Sequence, residues 1–456
     1  MKNLIYLVLA FCTTLGAVQS KNLSDYEPFD YEVLFTNPEC RLYKYERPIK
    51  SNDGHMVYSK PKNAYCKSSD SSRSGARANA PQKRLLDWIK DPKTKEVFMA
   101  YLSFSNGTIA RALCNAINYR NIKFTLVIDS KNLPEANDGD NSRMRMANYL
   151  KKCRPKPDSY RNGGRPNFPK ITTSGGKGRG GNKTGYAHNK LFIVNPSSST
   201  EIKIVFSSGN MSSGTTIHHE NWHFVTTHAN THFSKVHLCL MEGVLNHDQG
   251  IKEYASFIQS CKNNISIPEE DDIKIFLIPG EGKQAMNAIK TNLKWAQSVD
   301  LAAHRFSNSS LISLLTEKLH HNKNALRLIA DDDLYWTGAL RKGTGRNTYM
   351  EWAKVRDLKK QGLKDRYIQT YADDIADPKR MQLHHNKFLI FNFENNKGAV
   401  FAGAGNLTTS AFYKNFENFY LIKIPQVYLA FKKQYSYMWE SLGRNKAKMP
   451  IEYRLP

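Results

Sequence analysis

His188-Asn189-Lys190-Leu191-Phe192-Ile193-Val194-Asn195 is followed, 197 residues later, by His385-Asn386-Lys387-Phe388-Leu389-Ile390-Phe391-Asn392, identical at five of eight positions. In each copy the four consecutive apolar residues read as a strand buried on both faces. The strand period of two puts His188 and Lys190 on one face at its beginning and Asn189 on the other. His385 and Lys387 repeat that arrangement. Two more blocks keep the spacing: Gly209-Asn210 matches Gly405-Asn406 at an offset of 196, and Glu220-Asn221 matches Glu417-Asn418 at 197. Separated blocks that share an offset mark a duplication.

Upstream of each histidine block the pattern is strand, helix, strand. The first copy has Val97 to Leu102, then Ile109, Leu113, Ala116 and Ile117, then Phe124 to Asp129. The second has Val299 to Ala303, then Leu311, Leu314, Leu315 and Leu319, then Leu326 to Asp331. A Ser-Asn pair precedes each helix and supplies an N-cap. A β-α-β unit of this kind predicts a parallel sheet with a right-handed crossover. Between strand and histidine block lie two long basic insertions, about 130 to 187 and 332 to 383. Within them Lys177, Arg179, Trp336, Arg341, Lys342 and Trp352 are expected to rim a cleft and bind substrate, the aromatic rings offering stacking surfaces.

The chain has 456 residues and a formal net charge of +25, from 66 Lys and Arg against 41 Asp and Glu. That length fits two or three domains or one duplicated unit, and that charge favours a polyanionic partner. Residues 1–20 have the basic start, apolar run and small-residue end of a signal peptide, with cleavage expected after Ser20. Export, secreted or periplasmic, follows from that reading. Six cysteines remain beyond it, and an even number in an exported chain reads as disulfides. Fifteen connectivities stay open; pairing neighbours in order gives Cys40–Cys66, Cys114–Cys153 and Cys239–Cys261. With no Cys-x2-Cys knuckle, and with the histidines after Glu220 on a strand, no metal or other cofactor is expected.

Two histidines and two lysines delivered to one place suit a phosphodiester. One neutral imidazole attacks phosphorus, the other protonates the leaving oxygen, and the roles reverse when water attacks the phosphohistidine. Lys190 and Lys387, with Asn210 and Asn406, would neutralise the non-bridging oxygens, while Glu220 and Glu417 would hold histidine ring nitrogens.

These residues resemble the phospholipase D superfamily, whose signature is His-x-Lys-x4-Asp, then Gly-Ser-x-Asn, then Asn-x-Glu. The resemblance covers roughly 83 to 445. It departs from the pattern at Asn195 and Asn392, which stand in place of Asp as in the tyrosyl-DNA phosphodiesterase branch, and this raises the question of orientation and rate. Ser207-Ser208-Gly209-Asn210 keeps the serine, Ser208, as a substrate-binding candidate, whereas Ala404 replaces it in the second half. Asn415-Phe416-Glu417 fits Asn-x-Glu, and its first-half counterpart is His218-His219-Glu220.

The resemblance implies an α/β fold of two tandem phospholipase D-like α/β/α domains related by a pseudo-twofold axis, with the active site at their interface. It makes His188 the nucleophile and His385 the general acid. The expected division is a signal peptide at 1–20, an irregular segment at 21–82, and domains at 83–265 and 266–456. The expected activity is metal-independent phosphodiester hydrolysis, on DNA or RNA first. Phospholipid headgroups come second and polyanion binding with weak catalysis third. A monomer suffices for such a site, no transmembrane segment is expected, and peripheral contact with an anionic membrane fits the charge.

Overall fold

The computed structural model describes residues 30–38, 40, 49–50, 56–57, 66–130, 145–160, 164–177, 183–268, 272–331, 334, 346–368 and 382–442. The proposed signal peptide lies outside these residues, as do Arg179, Trp336, Arg341 and Lys342.

The duplication becomes two mixed sheets. The first contains β1 (Asp30–Thr36), β4 (Glu96–Tyr101), β5 (Lys123–Asp129), β6 (Lys170–Lys177), β7 (Lys183–Tyr186), β8 (Lys190–Val194), β9 (Glu201–Ser207) and β10 (Glu220–His228), in the order β1-β10-β9-β8-β4-β5-β6-β7. β2 (Ile49–Lys50) and β3 (Met56–Val57) pair only with each other. The second sheet contains β11 (Ile273–Ile278), β12 (Ser298–Ala303), β13 (Leu326–Asp331), β14 (Lys364–Ile368), β15 (Lys387–Asn392), β16 (Gly398–Gly403) and β17 (Glu417–Ile422). Its order, β11-β17-β16-β15-β12-β13-β14, repeats the first seven positions of the first sheet, β7 being the additional strand.

The expected parallel sheet holds only in part. β4–β5–β6 and β12–β13–β14 are parallel, but the histidine-bearing strands β8 and β15 run antiparallel to β4 and β12. The long insertion after each β-α-β unit lets the chain turn back before the motif. The described residues of 21–82 include regular elements. β1 pairs antiparallel with β10 just as β11 pairs with β17, so the repeat reaches back to Asp30 and takes in more than 83–265. The edge strand is buried on both faces: Tyr31 packs into the same core as Leu191 and Leu34 into the same core as Phe192. Ser68–Ala76 adds a helix to the same segment.

Asn106 caps the helix Gly107–Arg120 by accepting from the Thr108 and Ile109 amides, and Asn308 caps Ser309–His321 through the Leu311 amide. Along β8, Leu191 and Ile193 face a central core that also holds Phe388, Ile390 and Tyr420 of the second sheet. Phe192 and Val194 face an outer core with Leu113 and Trp222. The central cluster therefore bonds the two halves through apolar burial. Cys40–Cys66, Cys114–Cys153 and Cys239–Cys261 form disulfides, matching the neighbour pairing. Among the described residues no helix is long and apolar enough to cross a membrane.

Candidate active site

The motif strands of the two halves meet at a seam of short backbone bridges. Ala187 bridges Phe416 and His219 bridges His384. The His188 amide donates to Phe416 O at 2.9 Å, and the His385 amide to His219 O at 2.9 Å. Each histidine is thus seated against the segment that leads to the other half's glutamate. The side chains follow. His188 Nδ1 lies 2.7 Å from Glu417 Oε2, and His385 Nδ1 lies 3.0 Å from Glu220 Oε1. The carboxylates do hold histidine nitrogens, as the sequence led us to expect, but crosswise between halves.

Both glutamates are fully buried and both histidines are nearly so. A carboxylate only accepts, so each Nδ1 carries the proton and each Nε2 keeps its lone pair. Burial pushes His188 down to about 4, against the opposing pull of Glu417, with Lys190 lowering it further. Burial, with Lys387 beside it, holds His385 well below its ordinary value. Both rings are therefore neutral near pH 7 in the free protein.

Lys190 Nζ donates to His188 O at 2.8 Å and stands 3.2 Å from His188 Nε2; burial lowers it to about 8. Lys387 Nζ donates to His385 O at 2.7 Å and to Ser208 O at 3.2 Å, and burial lowers it well below the ordinary lysine value. Asn210 and Asn406 match each other in a telling respect. The Oδ1 of each is buried without a partner among the described residues. Gly209 lets Glu220 come close, because a Cβ there would fall 2.0 Å from Glu220 Oε2.

Ser208 is completely buried, and its Oγ accepts from the Asn221 amide at 3.1 Å, so it braces the strand that carries Glu220. Lys177 ends β6, and Trp352 lies in the helix Arg346–Lys360. The Asn-for-Asp positions prove remote from the chemistry. Asn195 Oδ1 accepts from the Lys95 and Glu96 amides at 2.8 and 3.1 Å, and Asn392 Nδ2 donates to Ser298 and Asp300. Both lie at the far end of the strand from the histidines.

Sequence reasoning left several contributors without a role. Asp129 and Asp331, at the ends of β5 and β13, accept from the amides of Ala187 and His384, each the residue before a motif histidine, both at 2.6 Å. Asn418 Oδ1 accepts from the Lys190 amide at 3.2 Å, and Asn221 Nδ2 donates to Asn386 Oδ1 at 2.9 Å. All four stood in the matched blocks, so the repeat itself was the available signal. His304, just after β12, has its ring centroid 4.9 Å from that of His385.

Residues 289–439 match a family model described as "Cardiolipin synthase, PLD-like domain". The phosphatidylserine synthase of Haemophilus influenzae Rd KW20 superposes with a TM-score of 0.53 at 13% identity, over 81% of this chain and 86% of its own. The polyphosphate kinase of Porphyromonas gingivalis gives 0.46 at 13% identity over 81% of this chain, which spans only 51% of that enzyme. Yeast tyrosyl-DNA phosphodiesterase gives 0.43 at 10% identity, over 74% and 85% of the two chains. The last two scores are too low to bear on function. No curated protein sequence matches the chain.

Proposed function

We propose that the chain, whose residues 289–439 match a PLD-like domain model and whose fold superposes on a phosphatidylserine synthase, is an exported phosphodiesterase of the phospholipase D superfamily working through a phosphohistidine, with nucleic acid as its substrate. The crossed His–Glu pairs carry this reading, because they leave two neutral Nε2 atoms, that of His188 lying 3.2 Å from Lys190 Nζ. His188 Nε2 attacks phosphorus in line, a P–N bond forms, and the bond to the leaving oxygen breaks. His385 enters the reaction as imidazolium, its protonation favoured by the arriving phosphate charge, and gives that proton to the leaving oxygen. Water then attacks the phosphohistidine, His385 takes a proton from it, and the P–N bond breaks. Lys190, Lys387, Asn210 and Asn406 stabilise the non-bridging oxygens, while Glu417 and Glu220 hold the tautomers.

Nucleic acid is favoured by the net charge of +25 and by exposed aromatic–basic pairs such as Lys156 over Tyr119 and Arg154 over Phe168. Three disulfides support a secreted or periplasmic location.

The test incubates the purified protein in EDTA with plasmid DNA, RNA, and choline or cardiolipin liposomes, beside His188→Ala and His385→Ala. Cleavage of polynucleotide in EDTA by wild type alone is the expected result. Headgroup release with intact nucleic acid would replace the substrate, and dependence on added metal would sink the mechanism.

A further inference from the structure

The two buried carboxylates are furnished differently. Asn415 Nδ2 donates to Glu417 Oε1 at 3.0 Å, so both oxygens of Glu417 are engaged. The first half has His218 at the matching position, an imidazole in place of the amide. His218 Nδ1 lies 3.5 Å from Glu220 Oε1, the same oxygen that faces His385 Nδ1 at 3.0 Å. The second oxygen, Glu220 Oε2, is buried with no hydrogen-bond partner among the described residues. Two nitrogens and one carboxylate oxygen thus lie within 4.8 Å of one another. The ring of His218 lies against Gly214, where a Cβ would fall 2.3 Å from its Nδ1.

We propose that His218, Glu220 and His385 form an inhibitory site for a zinc-type divalent cation. Tetrahedral zinc with bonds of about 2.0–2.2 Å keeps its ligand atoms about 3.3 Å apart. Even the widest separation here needs to close by only ~1.5 Å, within reach of side-chain rotation. Three protein ligands leave a fourth position for water. The nitrogen donors select zinc over magnesium and calcium, which take oxygen ligands.

Inhibition, unlike binding, rests on the function proposed above. Zinc on His385 Nδ1 moves the ring's single proton to Nε2, with no net release, and separates the ring from Glu220. The ring then has no free nitrogen to take a second proton, so it cannot become the imidazolium that protonates the leaving oxygen. Zinc in this place is a brake, and its removal by chelator raises activity.

Protein stripped with EDTA and returned to chelator-free buffer is titrated with zinc sulfate by calorimetry, and in parallel its rate on bis(p-nitrophenyl) phosphate is followed as zinc rises. One zinc per chain is expected, bound at least tenfold more weakly by His218→Asn, which installs the residue of the second half. Each protein is compared with its own zinc-free rate, and the inhibition midpoint shifts by the same factor. Glu220→Gln serves as a second variant with the same expected loss of binding. No saturable zinc on wild type, equal affinity in both variants, or competition by equimolar magnesium overturns the site. Zinc binding with an undiminished rate overturns its inhibitory role. Zinc binding by a wild type that hydrolyses no diester refutes the phosphodiesterase reading and leaves the cation site standing.

Discussion

Exchanging Glu417 for Gln should damage the protein far more than exchanging Glu220 for Gln, although the two carboxylates are related by the internal symmetry. Glu417 Oε1 accepts from Asn415 Nδ2 at 3.0 Å, while Oε2 faces His188 Nδ1 at 2.7 Å. A glutamine at 417 must present its oxygen to the Asn415 amide, which leaves its own NH2 against His188 Nδ1. Two donors cannot share that contact, so the His188 proton moves to Nε2 and the attacking lone pair is lost. A buried hydrogen bond to a charged group is worth about 1.5–3 kcal/mol, and an unsatisfied buried donor costs about 1–3 kcal/mol. Together they give roughly 3–5 kcal/mol, a rate loss of about 10²–10⁴. Among the described residues no side-chain amide bonds Glu220, which meets His385 Nδ1 at 3.0 Å and His218 Nδ1 at 3.5 Å. A glutamine there is free to turn its oxygen to His385 Nδ1, and only the charge is lost, about tenfold to a hundredfold. Initial rates on a chromogenic diester, with thermal melts to confirm folding, give the comparison. A Glu417→Gln enzyme within fivefold of wild type, or a Glu220→Gln enzyme equally impaired, refutes the reasoning.

In the free enzyme, kcat/KM should rise with pH through about 4, as His188 becomes neutral, then fall at higher pH because His385, held well below its ordinary value, must take up a proton to act as the acid, with a further fall through about 8 as Lys190 loses its proton; a pH–rate profile checks each limb. Because burial holds His188 near 4 in the folded state against an ordinary 6.5, the unfolded chain binds the proton first. The resulting stability, about 3 kcal/mol from this group, is therefore present at neutral pH and lost as pH falls from 6.5 to 4, which acid denaturation curves will show. Asn195→Ala should lower stability by about 1–3 kcal/mol by removing two acceptor contacts to backbone amides, yet leave the rate within about threefold. Replacing Cys114 and Cys153 by Ser opens a link across 39 residues and should cost about 4 kcal/mol, read as a lower urea midpoint.

The roster of His, Lys, Asn and Glu was legible because duplication repeated it at one offset. The strand period also placed His188 beside Lys190 correctly. What the period does not encode is which half's glutamate meets which histidine, since that depends on how two sheets interlock. Asn195 and Asn392 misled for a related reason. They belong to the motif by spacing, but the length of β8 and β15 separates them from the histidines. β1 was hidden because its seven residues carry no period-two pattern and are separated from the first β-α-β unit by a long stretch with no matching repeat.

The crossed carboxylates also bear on how such a chain evolves. Neither repeat contains a complete set: each lends its glutamate to the other's histidine. A loss in one copy therefore disables machinery encoded in both, so neither is a spare on which drift can act freely. The same exchange would close naturally between two identical single-repeat subunits, which makes the fused gene a covalent dimer whose monomers can diverge at the rims but stay mutually dependent at the centre. Cutting the chain between Asn264 and Ile273 should yield two inert halves whose activity returns only on mixing.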